Sequence, residues 1–414
     1  MTKRAAGALA LIATILIGGA AGRQSTPPRT DGARDFFPIM PWEIQPEKQA
    51  LLDEPGHGID SLRACGFNTV AFVRPNQLEK VEKAGMRAIV GRSGDLRVNW
   101  RAMSDRAIFD RVKGLVDESG ESDAVIGYFL ADEPGISEFP ALGKAVAAVK
   151  QLAPGKLAYI NLYPNYARPS QLDTKNYAEY LERYVAEVKP QFISYDNYNV
   201  QYSMDLTGRA RAAKYYANLL QVRRVAIKHG LQFWNAVSSN QVRPHTTVPS
   251  PANLLMQAYT TLAAGARGLT WFTYYQGRYE YAPIDKAGNR TATWSYLKMV
   301  NDQVRALTPT LIRLRSTGVY FTSPRPTTGL PRLPGKLVKS IKSPTALMVG
   351  EFSGAGNEKF VMVVNLSLER SAKVIVKARA KLIARVSPVD RSLARLAKDG
   401  SLWLPAGQGM LLKL

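Results

Sequence analysis

From Phe36 to about Arg315 the chain repeats one pattern eight times: a short run rich in β-branched or aromatic residues, followed by an amphipathic segment. The runs are FFPIMPW (36–42), FNTVAFV (67–73), MRAIVG (86–91), AVIGYFLA (124–131), KLAYINLY (156–163), QFISYDNY (191–198), LQFWNAVS (231–238) and GLTWFTYY (268–275). Between them, stretches such as ALGKAVAAVKQLAPG (141–155) and GRARAAKYYANLLQVRRVAIKHG (208–230) place apolar residues every three or four positions, the spacing of a helix with one buried face. The glycines in ACGFN, KAGMR, APGKL, KHGLQ and GARGL stand where a left-handed cap would end each helix before the next strand. Eight such units in roughly 280 residues predict a (β/α)8 barrel. An open dinucleotide-binding sheet is disfavoured because no GxGxxG turn follows the first strand.

After Arg315 the texture changes to alternating strands: STGVYFTS, LVKSIKS, ALMVGEFS, KFVMVVNLS, AKVIVKA and WLPAGQGMLLKL. These predict a small antiparallel β-sandwich. Upstream, Lys3 and Arg4 precede an uncharged stretch from Ala5 to Gly22 that ends on small residues, the form of an export signal. The expected organisation is a signal over 1–22, a disordered spacer over 23–34, the barrel over 35–315 and the β-sandwich over 316–414.

Export would permit disulfides, but Cys65 is the only cysteine, so the fold must rest on its core. The net charge of +22 is uneven, with 16 Lys and Arg against 5 Asp and Glu in residues 316–414. In an exported protein that imbalance points to an acidic polysaccharide or envelope glycan, or to a merely solvated basic surface, and not to nucleic acid. No stable membrane insertion is expected once the signal is removed, and the expected location is periplasmic or extracellular.

In a (β/α)8 barrel the chemistry sits at the carboxyl ends of the strands. Those ends carry Trp42 and Glu43, Asp132 and Glu133, Asn161 and Tyr163, Tyr195, Asp196 and Tyr198, Asn235, and Trp271 and Tyr274. Aromatic faces alternating with amides and carboxylates suit a sugar, which has apolar C–H faces and a rim of hydroxyls. The three histidines, His57, His229 and His245, are scattered and no GxSxG occurs, so neither a metal centre nor a serine triad is expected. No cofactor is expected either.

The sequence ADEPG at the fourth strand, with the surrounding barrel, FISYDNY and GLTWFTYY, resembles the (β/α)8 glycoside hydrolases that include the family 42 β-galactosidases. That resemblance implies a hydrolase of O-glycosidic bonds with Glu133 as general acid/base, Asp132 replacing the usual Asn. It also implies a second catalytic Glu at the end of the seventh strand, yet LQFWNAVSSNQVR contains no acid. Asp196 is the favoured substitute, with Glu43 and Glu280 behind it, and retention or inversion stays open. The Tyr-Asp pair of SYD is also similar to chitinase-like barrels, where the acetamido group of the substrate attacks. The alternative to an enzyme is a barrel that binds envelope glycan without cleaving it.

Overall fold

The computed structural model describes residues 36–43, 46–92, 94–202, 210–380 and 384–414. The expected signal and spacer lie outside the described residues. Eight parallel strands follow the sequence reading closely: β1 (Ile39–Pro41), β2 (Thr69–Val73), β3 (Arg87–Val90), β4 (Val125–Asp132), β5 (Leu157–Leu162), β6 (Phe192–Asp196), β7 (Gln232–Ser238) and β8 (Gly268–Phe272). Their order is β1-β8-β7-β6-β5-β4-β3-β2. Across the remaining seam the Asn68 N–H donates to the Ile39 carbonyl at 3.2 Å and the Phe72 N–H to the Glu43 carbonyl at 3.0 Å, which closes the ring.

Helices Asp105–Ser119, Phe139–Leu152, Ala210–Lys228, Pro251–Ala263 and Ala292–Leu311 are the longest of the outer layer. Two of the anticipated glycine stops show the backbone that requires them: Gly85 has φ +65° and Gly230 φ +66°, a region closed to most side chains.

Strand periodicity divides the barrel residues into two layers. Met40, Trp42, Phe72, Ile89, Phe129, Leu157, Tyr159, Phe192 and Trp234 meet in one cluster inside the lumen. Their neighbours in sequence, such as Ile39, Val90, Tyr128, Ile160, Ile193 and Leu269, pack outward against the helices. Large rings fill the lumen, so the barrel is a solid core that presents a site only at its rim.

The remaining strands are β9 (Arg315–Phe321), β10 (Val338–Lys342), β11 (Leu347–Ser353), β12 (Lys359–Asn365), β13 (Ala372–Ala378), β14 (Ala384–Val386), β15 (Leu393–Arg395), β16 (Ser401–Leu404) and β17 (Gly409–Lys413). They form a six-stranded sheet, β15-β14-β17-β12-β11-β9, and a three-stranded sheet, β10-β13-β16. Leu347, Val349, Val361, Val363 and Leu412 of the first sheet meet Val338, Val374, Val376, Leu402 and Leu404 of the second. That is the expected sandwich. The other face of the larger sheet packs on the barrel: a Cβ at Gly350 would lie 2.1 Å from the Ala263 carbonyl oxygen, so only glycine admits this approach. Helix Pro251–Ala263 is buried from Asn253 onward on every side because it lies between barrel and sheet.

Candidate active site

β4 begins as a core strand, and its interior is apolar for that reason. Its pairing with β5 shifts register between Phe129 and Ala131. This bulge lets Leu130 and Ala131 both face the helices and returns Asp132 to the inner side, opposite Asn161. Bulges commonly re-aim side chains at the rims of barrels. Glu133 then leaves the strand with φ +50° while its N–H donates to the Asn161 carbonyl at 2.8 Å. A left-handed non-glycine residue costs on the order of 1 kcal/mol, which the surrounding structure offsets.

β5 and β6 complete the arrangement. The Asn161 side-chain amide donates to Asp132 Oδ1 at 3.2 Å and to Asp196 Oδ1 at 3.1 Å, and its oxygen accepts from Ser194 Oγ at 3.0 Å. The Ser194 hydroxyl is in turn hydrogen-bonded to Tyr159 OH at 2.9 Å, so the amide cannot rotate without breaking a chain of bonds. Asp196 and Glu133 lie close enough for each to act on the other's titration. Asp132, Glu133 and Asp196 are therefore brought together.

Loss of solvent raises all three carboxyls, and charge adds to it: Glu133 acts on Asp132, Asp196 on Glu133, and Asp132 on Asp196. Three acids this close cannot all ionise, so the cluster retains a proton at neutral pH. Glu133 keeps a window to solvent whereas Asp196 is 3% exposed. The arrangement can deliver a proton at the end of β4.

Two residues beyond Asp196, Tyr198 and then Asn199 line a cavity of about 440 Å³ together with Tyr166, Lys214, Val242, Arg243, Phe272 and Tyr279. Tyr198 stacks on Phe272 with centroids 5.0 Å apart and planes at 28°, and Tyr279 meets Phe272 edge-on at 5.4 Å. Burial raises the Tyr198 phenol well above its usual range, followed by the charge of Asp196 and then Tyr166, Asp132 and Glu133. The Tyr163 phenol is likewise raised, by burial and then by Glu133.

A smaller hollow of about 270 Å³ shares Val242, Arg243 and Tyr279 with the first and adds Arg278 and Glu280. The Gln241 N–H donates to the Glu280 carbonyl at 2.9 Å. The loop after β8 is thereby held against the loop after β7, and Glu280 sits beside the strand that lacks an acid.

Several expected ligand contacts are not at the rim. Tyr195 is fully buried near Tyr177 and Tyr215. Asn235 donates to Thr261 Oγ1 at 2.8 Å, and Trp271 donates to Asn301 Oδ1 at 2.9 Å. The Tyr274 hydroxyl bonds Ser61 Oγ at 2.8 Å and accepts from Trp294 Nε1 at 2.9 Å. Phe192, Ser194 and Asp196 alternate inward, so Tyr195 must face the helices; the same period turns Asn235 and Trp271 outward.

Glu43 is 1% exposed and accepts from the backbone of Tyr274 at 2.6 Å and of Tyr275 at 3.0 Å, with Lys48 Nζ at 3.3 Å. It ties the loop after β8 to β1 and has no surface for a ligand. Trp42, 8% exposed, caps the lumen cluster 4.9 Å from Phe72. His229 bonds Glu182 at 2.8 Å at the end of its helix, away from these acids.

Phe272, Tyr166, Tyr279, Lys214 and Arg243 line the cavity but were not expected there. Phe272 was findable, since it shares the inward parity of Thr270. The others stand on loops and a helix, where no strand period applies.

No protein-family model matches the chain, and no curated protein matches it in sequence. Solved structures resemble it in fold. A catalytic mutant of a GH42 β-galactosidase from G. stearothermophilus superposes with a TM-score of 0.64 at 9% identity, over 93% of this chain and 99% of that one. A β-galactosidase from Bacillus circulans sp. alkalophilus gives 0.59 at 9%, over 91% and 99%. One from Marinomonas ef1 gives 0.50 at 11%, over 68% of this chain and 62% of that chain's length. At these identities the likeness is one of architecture: a parallel eight-stranded barrel carrying a C-terminal β domain.

Proposed function

We propose that this protein is an exported glycoside hydrolase of poly- or oligosaccharides in which Glu133 protonates the leaving glycosidic oxygen. The observation that carries this reading is the acid cluster gathered round Asn161 at the ends of β4 to β6, with Tyr198, two residues beyond Asp196, lining an aromatic cleft. Glu133, like Asp132, keeps partial exposure, and burial first and then neighbouring Asp196 raise the Glu133 pKa and favour its protonated form. Tyr198 and Phe272 offer a ring face to the sugar; Asn161 orients Asp132 and Asp196. The fold likeness to β-galactosidases supports the class of reaction, and the uncharged segment from Ala5 to Gly22 supports export. Lys214, Arg243 and Arg278 on the cleft wall favour an anionic glycan. The test is Glu133→Gln assayed on a glycan panel: undiminished hydrolysis by the variant removes the assignment, and absence of turnover in the wild type favours a binding barrel.

One observation favours a second reading of the attacking step. The Asn161 amide holds Asp132 at 3.2 Å and Asp196 at 3.1 Å on one side of the rim, next to Glu133, whereas the two carboxyls of a retaining pair (about 5–5.5 Å) or an inverting pair (about 6.5–9.5 Å) face each other across the glycosidic bond. Asp196 therefore supports Glu133 instead of attacking from the opposite face. The nucleophile is then the carbonyl oxygen of a 2-acetamido group on the substrate. It bonds to the anomeric carbon as the glycosidic C–O bond breaks and the Glu133 proton passes to the leaving oxygen. Asp132, ionised, takes the amide N–H proton of the cyclic intermediate; water then opens it, giving one proton back to Glu133, while Asp132 returns its proton to the nitrogen. Paired aryl glycosides with 2-acetamido or 2-hydroxyl groups decide the matter, and equal rates on both exclude participation.

A further inference from the structure

The three-stranded sheet β10-β13-β16 has one face in the sandwich core and another against which, among the described residues, no element of the core packs. Val374 and Val376 of β13 and Leu402 and Leu404 of β16 fill the core. The strand period therefore turns Lys373, Ile375, Lys377 and Trp403 the other way. Trp403 is 67% exposed, an unusual setting for a side chain with so much apolar area. It lies directly opposite Lys373 across the ladder; one step along, Ile375 stands between Ser401 and Lys342, and beyond it Lys377 faces Ser340. The outward surface is thus one large indole beside a file of ammonium groups.

Those charges are largely uncompensated. Lys373 has Asp399 at 3.9 Å, with both side chains about half exposed, a distance at the outer limit of an ion pair. Among the described residues no carboxylate pairs with Lys342 or Lys377. The whole of residues 316–414 carries the same bias, 16 basic residues against 5 acidic. An indole in this position takes the C–H face of a sugar ring, and ammonium groups take carboxylate or sulfate substituents. Lys373 and Lys377 stand about 13 Å apart along the strand, a span that an extended polymer bridges and a single small anion does not. A membrane fits less well: Trp403 sits within a hydrogen-bonded strand, on a face with little other apolar surface, and cannot project into a bilayer.

We propose that this face is a second glycan-binding site, separate from the carboxyl cleft, on which Trp403 and the lysines of β13 and β10 hold a chain of an anionic polysaccharide. It does not require the barrel to be a hydrolase, and it would keep the protein on its polymer. The test is affinity electrophoresis of the full chain in gels containing polygalacturonate, sulfated dextran or neutral dextran. The wild type is expected to be retarded by one or both anionic polymers, less so at high salt, and not by neutral dextran. Trp403→Ala and the pair Lys373→Glu with Lys377→Glu should each weaken retardation at least tenfold, and Trp403→Phe should restore much of it. Trp403 is exposed, so the melting temperature of Trp403→Ala should match the wild type. No retardation by any polymer overturns the proposal. So does retardation that survives both sheet variants. Binding to phosphatidylglycerol vesicles but to no polysaccharide also overturns it, in favour of a membrane.

Discussion

The rim at β4 to β6 and the rim at β7 and β8 are built from similar strands and end in opposite chemistry. At the first, Asp132, Glu133 and Asp196 crowd round one amide and must share protons. At the second, Ser238, Ser239 and Asn240 bond chiefly to one another and to Thr273, and Phe272 and Tyr279 supply ring faces. One side stores a proton and the other side presents a surface. On the proposed reading, reaction and recognition are divided around the barrel, with Tyr198 joining the two sides through its stack on Phe272.

The largest expected effect breaks the proton-storing side. Glu133→Gln should lower kcat on an unactivated glycoside by about 10²–10⁴-fold, the usual contribution of a general acid, with little change in KM. Outward parity on the other side is tested by stability: Trp271→Ala should cost about 3–5 kcal/mol of unfolding free energy, as for other buried tryptophans, in a urea titration. The activity of the molecules still folded should change little, because Trp271 bonds Asn301 and not a ligand.

Tyr198→Ala separates the two sides. KM should rise about tenfold, the effect of about 1.4 kcal/mol of lost ring contact, while kcat falls much less. A loss confined to kcat would place Tyr198 in the chemistry instead.

Asp196→Asn removes the neighbouring charge that helps to raise Glu133, so the alkaline limb of kcat/KM should move to lower pH. The sign for stability follows from proton binding. The folded pKa of Asp196 is raised to about 8, so the folded state binds more protons than the unfolded state. Its contribution is full below the unfolded pKa of about 4 and is lost as pH climbs to about 8. The variant should flatten the decline in melting temperature over that window.

The smallest effect sharpens the comparison most. If the substrate supplies its own nucleophile, Glu280→Gln should leave kcat within about twofold, a change near RT in free energy. A fall of a hundredfold would identify Glu280 as the acid of the β7 side, carried there by the Gln241 bridge.

Much of this was legible in the chain. All eight barrel strands lie within two or three residues of their apolar runs, because burial of both faces leaves a strong composition signal. Most C-terminal strands are legible too; β14 and β15, three residues each, are not, and the run WLPAGQGMLLKL divides into the end of β16 and β17 around a turn. In the site, Asp132 and Asp196 stand at strand ends as the sequence places them, and the structure brings them to one amide, next to Glu133. Tyr195, Asn235 and Trp271 were misplaced because membership of a strand end was used without its period of two. Glu43 and Tyr274 were misplaced for another reason: each satisfies a buried partner distant in sequence, Glu43 the loop after β8 and Tyr274 the residues Ser61 and Trp294.

By itself the sequence determined the alternation of strand and helix, the glycines that end the helices and the acid pair at the end of β4, since these depend on local periodicity and backbone freedom. Tertiary structure alone decided that Asn161 joins Asp132 and Asp196, that Glu280 returns beside β7, and that Trp403 faces open solvent. Each of those depends on where distant segments meet, and on a bulge, a bridge or a sheet face that no local pattern encodes.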